Sequence, residues 1–253
     1  MTAQNLFLPV ATIPLYTDSI GAVTLYDASH ANESEEQRIW TVTTIASLAY
    51  GNESAKNPEA LYKRMQSIKH ESLWECIRFG RGIYTTIEHS MRNISEVYDT
   101  SKEGYSGNKD IALHKQNIAC FRIKVPIFVA RQFMRHRSFS YLEMSRRYTK
   151  GAKIPFQFWF PEALVDEGIA TNIIDEALEL YANICERYDT QIASRFLPQT
   201  TYTEFYMMGE VEGLRNFFAL RLDSHAQAEI RAVAEAMMSL LVQHQPVLAS
   251  KVY

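Results

Sequence analysis

Residues 126–148 read PIFVARQFMRHRSFSYLEMSRRY. Just before them Phe121 and Ile123 alternate with Arg122 and Lys124, a period of two that predicts a half-buried strand over 118–125. Pro126 has no amide hydrogen to give a sheet and suits the first turn of a helix, so strand passes into helix at that point. On a helix Arg131, Gln132 and Arg135 stand at adjacent positions and at spacings of three and four, so they can converge on one ligand. Arginine offers a planar fork suited to a phosphate or to the edge of a pyrimidine, and Ser145 can donate to phosphate oxygens. These polar residues are interleaved with Phe133, Met134, Phe139, Tyr141 and Leu142, so the cations cannot all face water.

The charge pattern singles out the same stretch. Over the 253 residues, 26 Lys and Arg stand against 29 Asp and Glu, for a net charge of -3. Between positions 121 and 150 there are eight cations and one acid, Glu143, so this segment carries +7 and the rest of the chain -10. A nearly neutral chain with its cations gathered in one place suggests a polyanionic ligand held there, and the balance of the whole argues against a dedicated nucleic-acid or membrane-surface protein. The composition, 47% hydrophobic and 22% charged, is that of a globular chain with ample core.

Pro9 and Pro14 interrupt an uncharged opening stretch with no basic region before it, which reads as neither a signal peptide nor a spanning helix. Cys76, Cys120 and Cys185 are three in number and far apart, so neither a disulfide framework nor a cysteine zinc site is expected, and a reducing cytoplasm fits best.

Residues 35–49 carry Ile39, Val42, Ala46 and Ala49 at helical spacing, with Ser34 and Gln37 as a capping box. The stretch from His70 to Phe79 reads as a loop leading into a short strand. Residues 80–116 are rich in Gly, Asn and Ser and read as an inserted excursion from a single domain. Residues 170–194 keep a 3.6 period through Ile173, Ile174, Ala177, Leu178, Tyr181, Ile184 and Cys185, which predicts one long helix with that stripe in the core. Ser224 and Gln227 form a second capping box ahead of a helix marked by Ile230, Val233, Ala234, Met237, Met238 and Leu241. Helices outnumber strands, and the fold class is α+β.

Familiar catalytic patterns fail in turn. Residues 80–85 start like a dinucleotide fingerprint but place Thr85 where the last Gly belongs. His70-Glu71 starts like a zincin helix, yet Trp74 stands where the second His is needed. Neither a phosphate-binding GxxxxGK[ST] loop nor a GxSxG elbow occurs.

Arg135-His136-Arg137, seven further residues and Ser145 form an RHRx7S pattern, preceded by Gln132 and followed by Arg147-Tyr148. With it come His70-Glu71-Ser72 and Glu75 upstream. Downstream lie Asn216-Phe217-Phe218, Leu220-Arg221 and Asp223-Ser224-His225-Ala226-Gln227. These three ordered blocks, spread over residues 70–231, resemble those of the flavin-dependent thymidylate synthases, the ThyX family.

The resemblance implies a ThyX-like fold, an antiparallel sheet packed with long helices, assembled as a homotetramer whose active sites are shared between subunits. It implies transfer of the methylene of methylenetetrahydrofolate to C5 of dUMP to give dTMP, with reducing equivalents passing from NADPH through FAD. Carried over residue by residue, Ser72, Glu75, Arg135, His136, Arg137, Asn216 and His225 would contact FAD. Gln132, Arg135, Glu143, Ser145, Arg147, Arg195, Leu220 and Arg221 would hold the nucleotide, and His70 and Tyr148 would lie near the flavin ring and the folate. Arg221 is the expected catalytic cation, because uracil C5 becomes nucleophilic only when charge at the N3/O4 edge is stabilised. Ser145 is expected to bond the nucleotide, since no neighbouring base follows from its spacing. A satisfied buried imidazole is the structural alternative for His136, and a place in the first turn of the last long helix is that for His225. No metal is expected.

This chain also departs from the resemblance. Cys76 stands where the family has His, Leu142 where it has Asn, and Arg146 where it has a small residue. Ser194 occupies the register of a nucleotide-binding Arg, with Arg195 one position later, and Glu210 and Glu212 fall where Asn and Arg serve the flavin. These changes motivate a second reading, a related flavoenzyme that methylates or hydroxymethylates another pyrimidine nucleotide. A third reading is a nucleic-acid-binding module built on the basic 121–150 segment with its aromatics.

Overall fold

The computed structural model describes residues 8–27, 35–53, 55–68, 73, 117–147, 155–166 and 168–253. Its centre is a five-stranded sheet made of β1 (Pro9–Leu15), β2 (Gly21–Tyr26), β3 (Ile118–Pro126), β4 (Ser140–Glu143) and β5 (Tyr202–Glu210), in the order β1-β2-β3-β5-β4. Every neighbouring pair runs antiparallel. The alternation expected of β3 is present: Ala119, Phe121, Ile123 and Val125 enter one core cluster, while Cys120 enters another. In β5, Phe205 and Met207 join the first cluster and Tyr206 and Met208 the second, in register with β3 through Phe121↔Met207 and Cys120↔Met208.

Both faces of the sheet are therefore covered. The second face carries α1 (Glu35–Ala49) and α2 (Pro58–Ser67), which bury Val42, Ile45, Leu48, Tyr62 and Met65 against it. The first carries α3 (Ile127–Phe133), α7 (Val211–Arg221), α8 (Ala228–His244) and α9 (Pro246–Val252). After β4 the chain forms α4 (Glu162–Asp166), α5 (Ile169–Arg187), α6 (Thr190–Ala193) and a 3₁₀ turn, Ser194–Phe196. Among the described residues no helix is long and apolar enough to cross a membrane.

Several expectations need correction. The long helix stops at Arg187, because Asp189 caps a new start by accepting from the Gln191 amide. Of its apolar stripe only Tyr181 is buried: Ala170 and Tyr181 are the buried residues of α5, and Ile173 is 44% exposed. The period was read correctly, but the helix packs on α4, α6 and the 3₁₀ turn rather than on the sheet. Ser224 caps nothing, since α8 begins at Ala228 with Gln227 as its N-cap and His225 lies ahead of the helix. Pro126 is the N-cap of α3, in extended conformation, rather than its first helical residue. In the stretch read as a loop from His70, Leu73 is helical and buried. Ser34, Cys76 and the 80–116 excursion lie outside the described residues.

Two glycines decide how the chain turns after α3. A Cβ on Gly209 would sit 2.5 Å from the Phe139 ring, and one on Gly213 would meet Ser138 Oγ at 2.8 Å and the same ring at 2.9 Å. The 134–139 turn is thus pressed against the β5–α7 junction, where any side chain would displace it. Phe139 is buried against Phe217, which itself stacks on Phe133 at 5.0 Å between centroids. Gly209→Ala should therefore act as overpacking, with a loss of about 1–3 kcal/mol and roughly 2–4 °C of melting temperature per kcal/mol for a chain of this size. Thermal unfolding followed by circular dichroism measures it, and a variant that melts with the wild type would contradict the close packing.

Candidate active site

The arginines of the 126–148 stretch do not share one helix. α3 ends at Phe133, and Met134 caps it. The following backbone tightens to three-residue hydrogen bonds, His136 N to Phe133 O at 2.8 Å and Phe139 N to His136 O at 3.2 Å. Arg135 and Arg137 therefore sit on a turn and not on the face of Arg131. The Tyr141 hydroxyl, from β4, donates to the carbonyls of Phe133 (2.6 Å) and His136 (3.1 Å) and so ties the turn to the sheet.

The turn directs its residues to opposite sides. His136 is 5% exposed, packed face to face with Phe139 and edge-on to Phe217. Its Nε2 accepts a hydrogen bond from Arg221 Nε at 3.0 Å. An acceptor nitrogen requires a neutral ring with its proton on Nδ1. Burial, and then the adjacent Arg221 cation, hold the imidazole down at about 4. Arg131, Arg135 and Arg137 are exposed, and none of their side chains has a hydrogen-bond or ion-pair partner among the described residues. Gln132 Nε2 donates to Gln227 Oε1 at 2.6 Å, which brings α3 to the start of α8. Asn216 and Leu220 are exposed on α7, close in sequence to Arg221. His225 is exposed beside Asp223, whose Oδ1 accepts from its amide at 2.8 Å and contacts its Nδ1 at 2.9 Å.

A second group gathers at the far end of β4. Glu143 accepts from the Thr203 hydroxyl at 2.6 Å. Its carboxyl keeps an open side to solvent, yet the protein crowded around it raises its pKa, against the Thr203 hydroxyl and Arg146, which lower it. Ser145 follows, its amide bonded to Ala49 O at 3.2 Å and its Oγ accepting from the Arg147 amide at 3.3 Å. Arg147 is exposed, as is Arg195 on the 3₁₀ turn, while Ser194 bonds back to Gln191 O. His70, Ser72, Glu75 and Tyr148 lie outside the described residues. At the usual rise of about 3.3 Å per residue, the two ends of β4 stand roughly 10 Å apart, so the chain presents two separate polar groups.

Sequence reasoning missed the network behind the second group. Arg122 forks onto both Glu53 oxygens, the Nη2 bond measuring 2.8 Å, and its Nε lies 2.7 Å from Glu204 Oε1. Burial opposes the Arg122 cation, but the two glutamates outweigh it and hold its pKa up. Arg122 stands on the polar side of β3 as its alternation indicates, but no local pattern points to Glu53, 69 residues earlier. Gln227, Tyr141 and Thr203 were likewise invisible as partners, because each comes from another element.

The family model described as thymidylate synthase complementing protein matches residues 112–247. That is just over half of the chain, and it contains both polar groups. The chain belongs to this family. Flavin-dependent thymidylate synthases are among its relatives: one of Thermotoga neapolitana is 35% identical over 137 residues, half of this chain and 62% of its own length. Another, of Treponema denticola, is 32% identical over 158 residues, 53% of this chain and 58% of its own length. The chain thus spans less than two thirds of either relative. Among solved structures, the UMP/dUMP methylase PolB from Streptomyces cacaoi, bound with 5-Br dUMP, is 28% identical and superposes with a TM-score of 0.47, covering 53% of this chain and 70% of its own. Within this thymidylate synthase complementing protein family member, α1, α2, β1 and β2 fall outside the family match.

The buried imidazole gives a pH dependence whose sign is fixed. Unfolded, His136 titrates near 6.5; folded, near 4. Between those values the unfolded chain binds the extra proton, so stability is lost as pH falls from 6.5 toward 4, by roughly 3 kcal/mol from this group. His136→Gln keeps an acceptor oxygen without the titration. Urea unfolding of both proteins between pH 7 and 4 should show the variant with the shallower decline, and parallel declines would contradict a neutral buried His136.

Proposed function

We propose that the chain is a flavin-dependent thymidylate synthase. It would methylate dUMP reductively at C5 to dTMP, with methylenetetrahydrofolate as carbon donor and FAD reduced by NADPH, as a single cytoplasmic catalytic domain into which residues 80–116 are inserted. The observation that carries this reading is Arg221, fixed by a neutral His136 beside exposed Arg135 and Arg137, whose side chains have no partner among the described residues. His136 thereby uses one donor of the guanidinium and leaves the others for a substrate.

The donor set suits a flavin dinucleotide over part of its length. Arg135 and Arg137 can meet a pyrophosphate, and Asn216 and His225 lie open on the neighbouring segment. Glu212 is taken up by Arg215, at 2.8 and 3.0 Å, so that acid is screened locally. When bound, the flavin supplies the reducing equivalents of the reaction. The chain itself has to bind and orient the nucleotide and stabilise charge. In this reading Gln132, Arg135, Glu143, Ser145, Arg147, Arg195 and Leu220 hold dUMP. Ser72, Glu75, Asn216 and His225 hold the flavin, and His70 and Tyr148 flank its ring and the folate. Arg221 donates to the uracil edge, where negative charge builds as C5 becomes nucleophilic, and His136 keeps that guanidinium in place without competing as a cation.

Separation of the two polar groups along β4 supports a site assembled from different copies, and hence the homotetramer. So do Leu180, Phe196 and Leu220, apolar side chains left 44%, 52% and 52% exposed in one copy. Leu142 is buried in the second core cluster, which turns this departure away from the exposed side and so away from the choice of acceptor.

Tritium release from C5-labelled dUMP, with methylenetetrahydrofolate, NADPH and FAD present, tests the proposal. The wild type should release label, and Arg221→Ala should do so about 100-fold or more slowly, as expected for loss of one charge-stabilising donor. Release by the wild type no faster than by the variant would overturn it.

A further inference from the structure

Arg146 stands between Ser145 and Arg147, yet its side chain turns away from both. Its Nη2 donates to the carbonyl of Tyr202 at 3.2 Å, and its guanidinium carbon lies 4.8 Å from the centroid of the Phe156 ring. The backbone on its N-terminal side is fastened twice, Met144 N to Glu204 O at 2.8 Å and Ser145 N to Ala49 O at 3.2 Å. Beyond Ser145 the Arg147 amide donates to Ser145 Oγ at 3.3 Å, and the Arg146 side chain ties the stretch to another part of the chain. The residues it grips are themselves fixed: Tyr202 N bonds to Gln157 O at 2.8 Å, Trp159 N bonds to Thr200 O at 2.9 Å, and Phe158 bridges Thr201. Behind the segment lies a cleft of about 220 Å³, walled by Arg146 with Met144, Arg122, Gln157, Tyr202 and Thr203 among others. Loss of the guanidinium would remove that tie and widen the cleft beside the segment.

We infer that Arg146 is a positioning residue, a strut between the Phe156 ring and the Tyr202 carbonyl that holds Ser145 and Arg147 at the spacing required for nucleotide binding. This rests on the proposed function, because it is that reading which places a nucleotide against Ser145 and Arg147. Arg146 then has no part in selecting the acceptor, although it departs from the family at a position beside the nucleotide. A planar cation is needed, because it must stack on a ring and donate in its own plane at once. Lysine can do one of these well but not both.

Equilibrium binding of dUMP to the FAD-loaded protein, followed by calorimetry, tests the strut with four variants: Arg146→Ala, Arg146→Lys, Phe156→Leu and the Arg146→Ala/Phe156→Leu double. Arg146→Ala should raise the dUMP dissociation constant about tenfold, with Arg146→Lys between it and the wild type and flavin content unchanged. Phe156→Leu, altered only on the far side of the guanidinium, should also weaken dUMP, and the double variant should be no worse than Arg146→Ala, since contacting residues are not additive. An unchanged dissociation constant in Arg146→Ala, whatever its melting temperature, overturns the inference. Additive effects, or a normal Phe156→Leu, overturn it in favour of direct contact between Arg146 and the nucleotide. Should Arg146→Ala not fold, Arg146→Lys and Phe156→Leu decide alone. A wild type that binds no dUMP counts against the proposed function instead.

Discussion

Phe139 can be buried where it is because residues 209 and 213 have no side chains. That close approach lets the turn after α3 lie flat on the junction of β5 and α7. Much of the candidate site follows from it. With the turn seated, His136 falls between Phe139 and Phe217, dry enough to stay neutral and near enough to α7 to accept from Arg221. The same seating turns Arg135 and Arg137 outward. One backbone path therefore yields an uncharged buried acceptor and an exposed cationic rim, four residues from the edge strand that carries the second polar group. Burial and electrostatics work together here. A protonated His136 would face the Arg221 cation in a poorly solvated pocket, so the neutral ring is the state that both effects favour.

The sheet was legible in the sequence wherever its pattern was local. Phe121 and Ile123 alternating with Arg122 and Lys124 gave β3 to within a residue, and the apolar stripe from Ile230 to Leu241 gave the buried face of α8. The reading failed where a local pattern met a tertiary fact. The α5 stripe has a true helical period, but periodicity reports amphipathicity and not what covers the apolar side. Ser224 and Gln227 have the spacing of a capping box, but Asp223 captures the His225 amide first and moves the helix start to Ala228. Arg131 and Arg135 have helical spacing, but the helix ends between them.

Of the candidate site, residue identities were legible and pairings were not. Arg221 and His136 are 85 positions apart, Glu143 and Thr203 sixty, and nothing in either neighbourhood announces the other. Arg146 shows the limit most plainly. From its position in the sequence it reads as a change at the nucleotide. From its contacts with Tyr202 and Phe156 it belongs to the support behind that position. The segregated charge was informative, for Arg131, Arg135 and Arg137 of that block are exposed with no side-chain partner among the described residues, while the half-buried Arg122 and Arg146 hold the chain together.

The central claim is that two polar groups at opposite ends of β4, contributed by different copies, close on one nucleotide. A crystal structure of the FAD-loaded protein with dUMP tests it most directly. The account predicts a phosphate contacted by Ser145 and Arg147 of one protomer and by Arg135 of another, with Arg221 at the uracil edge and still bonded to His136. A nucleotide seated elsewhere, or reached by only one of the two groups, would contradict it.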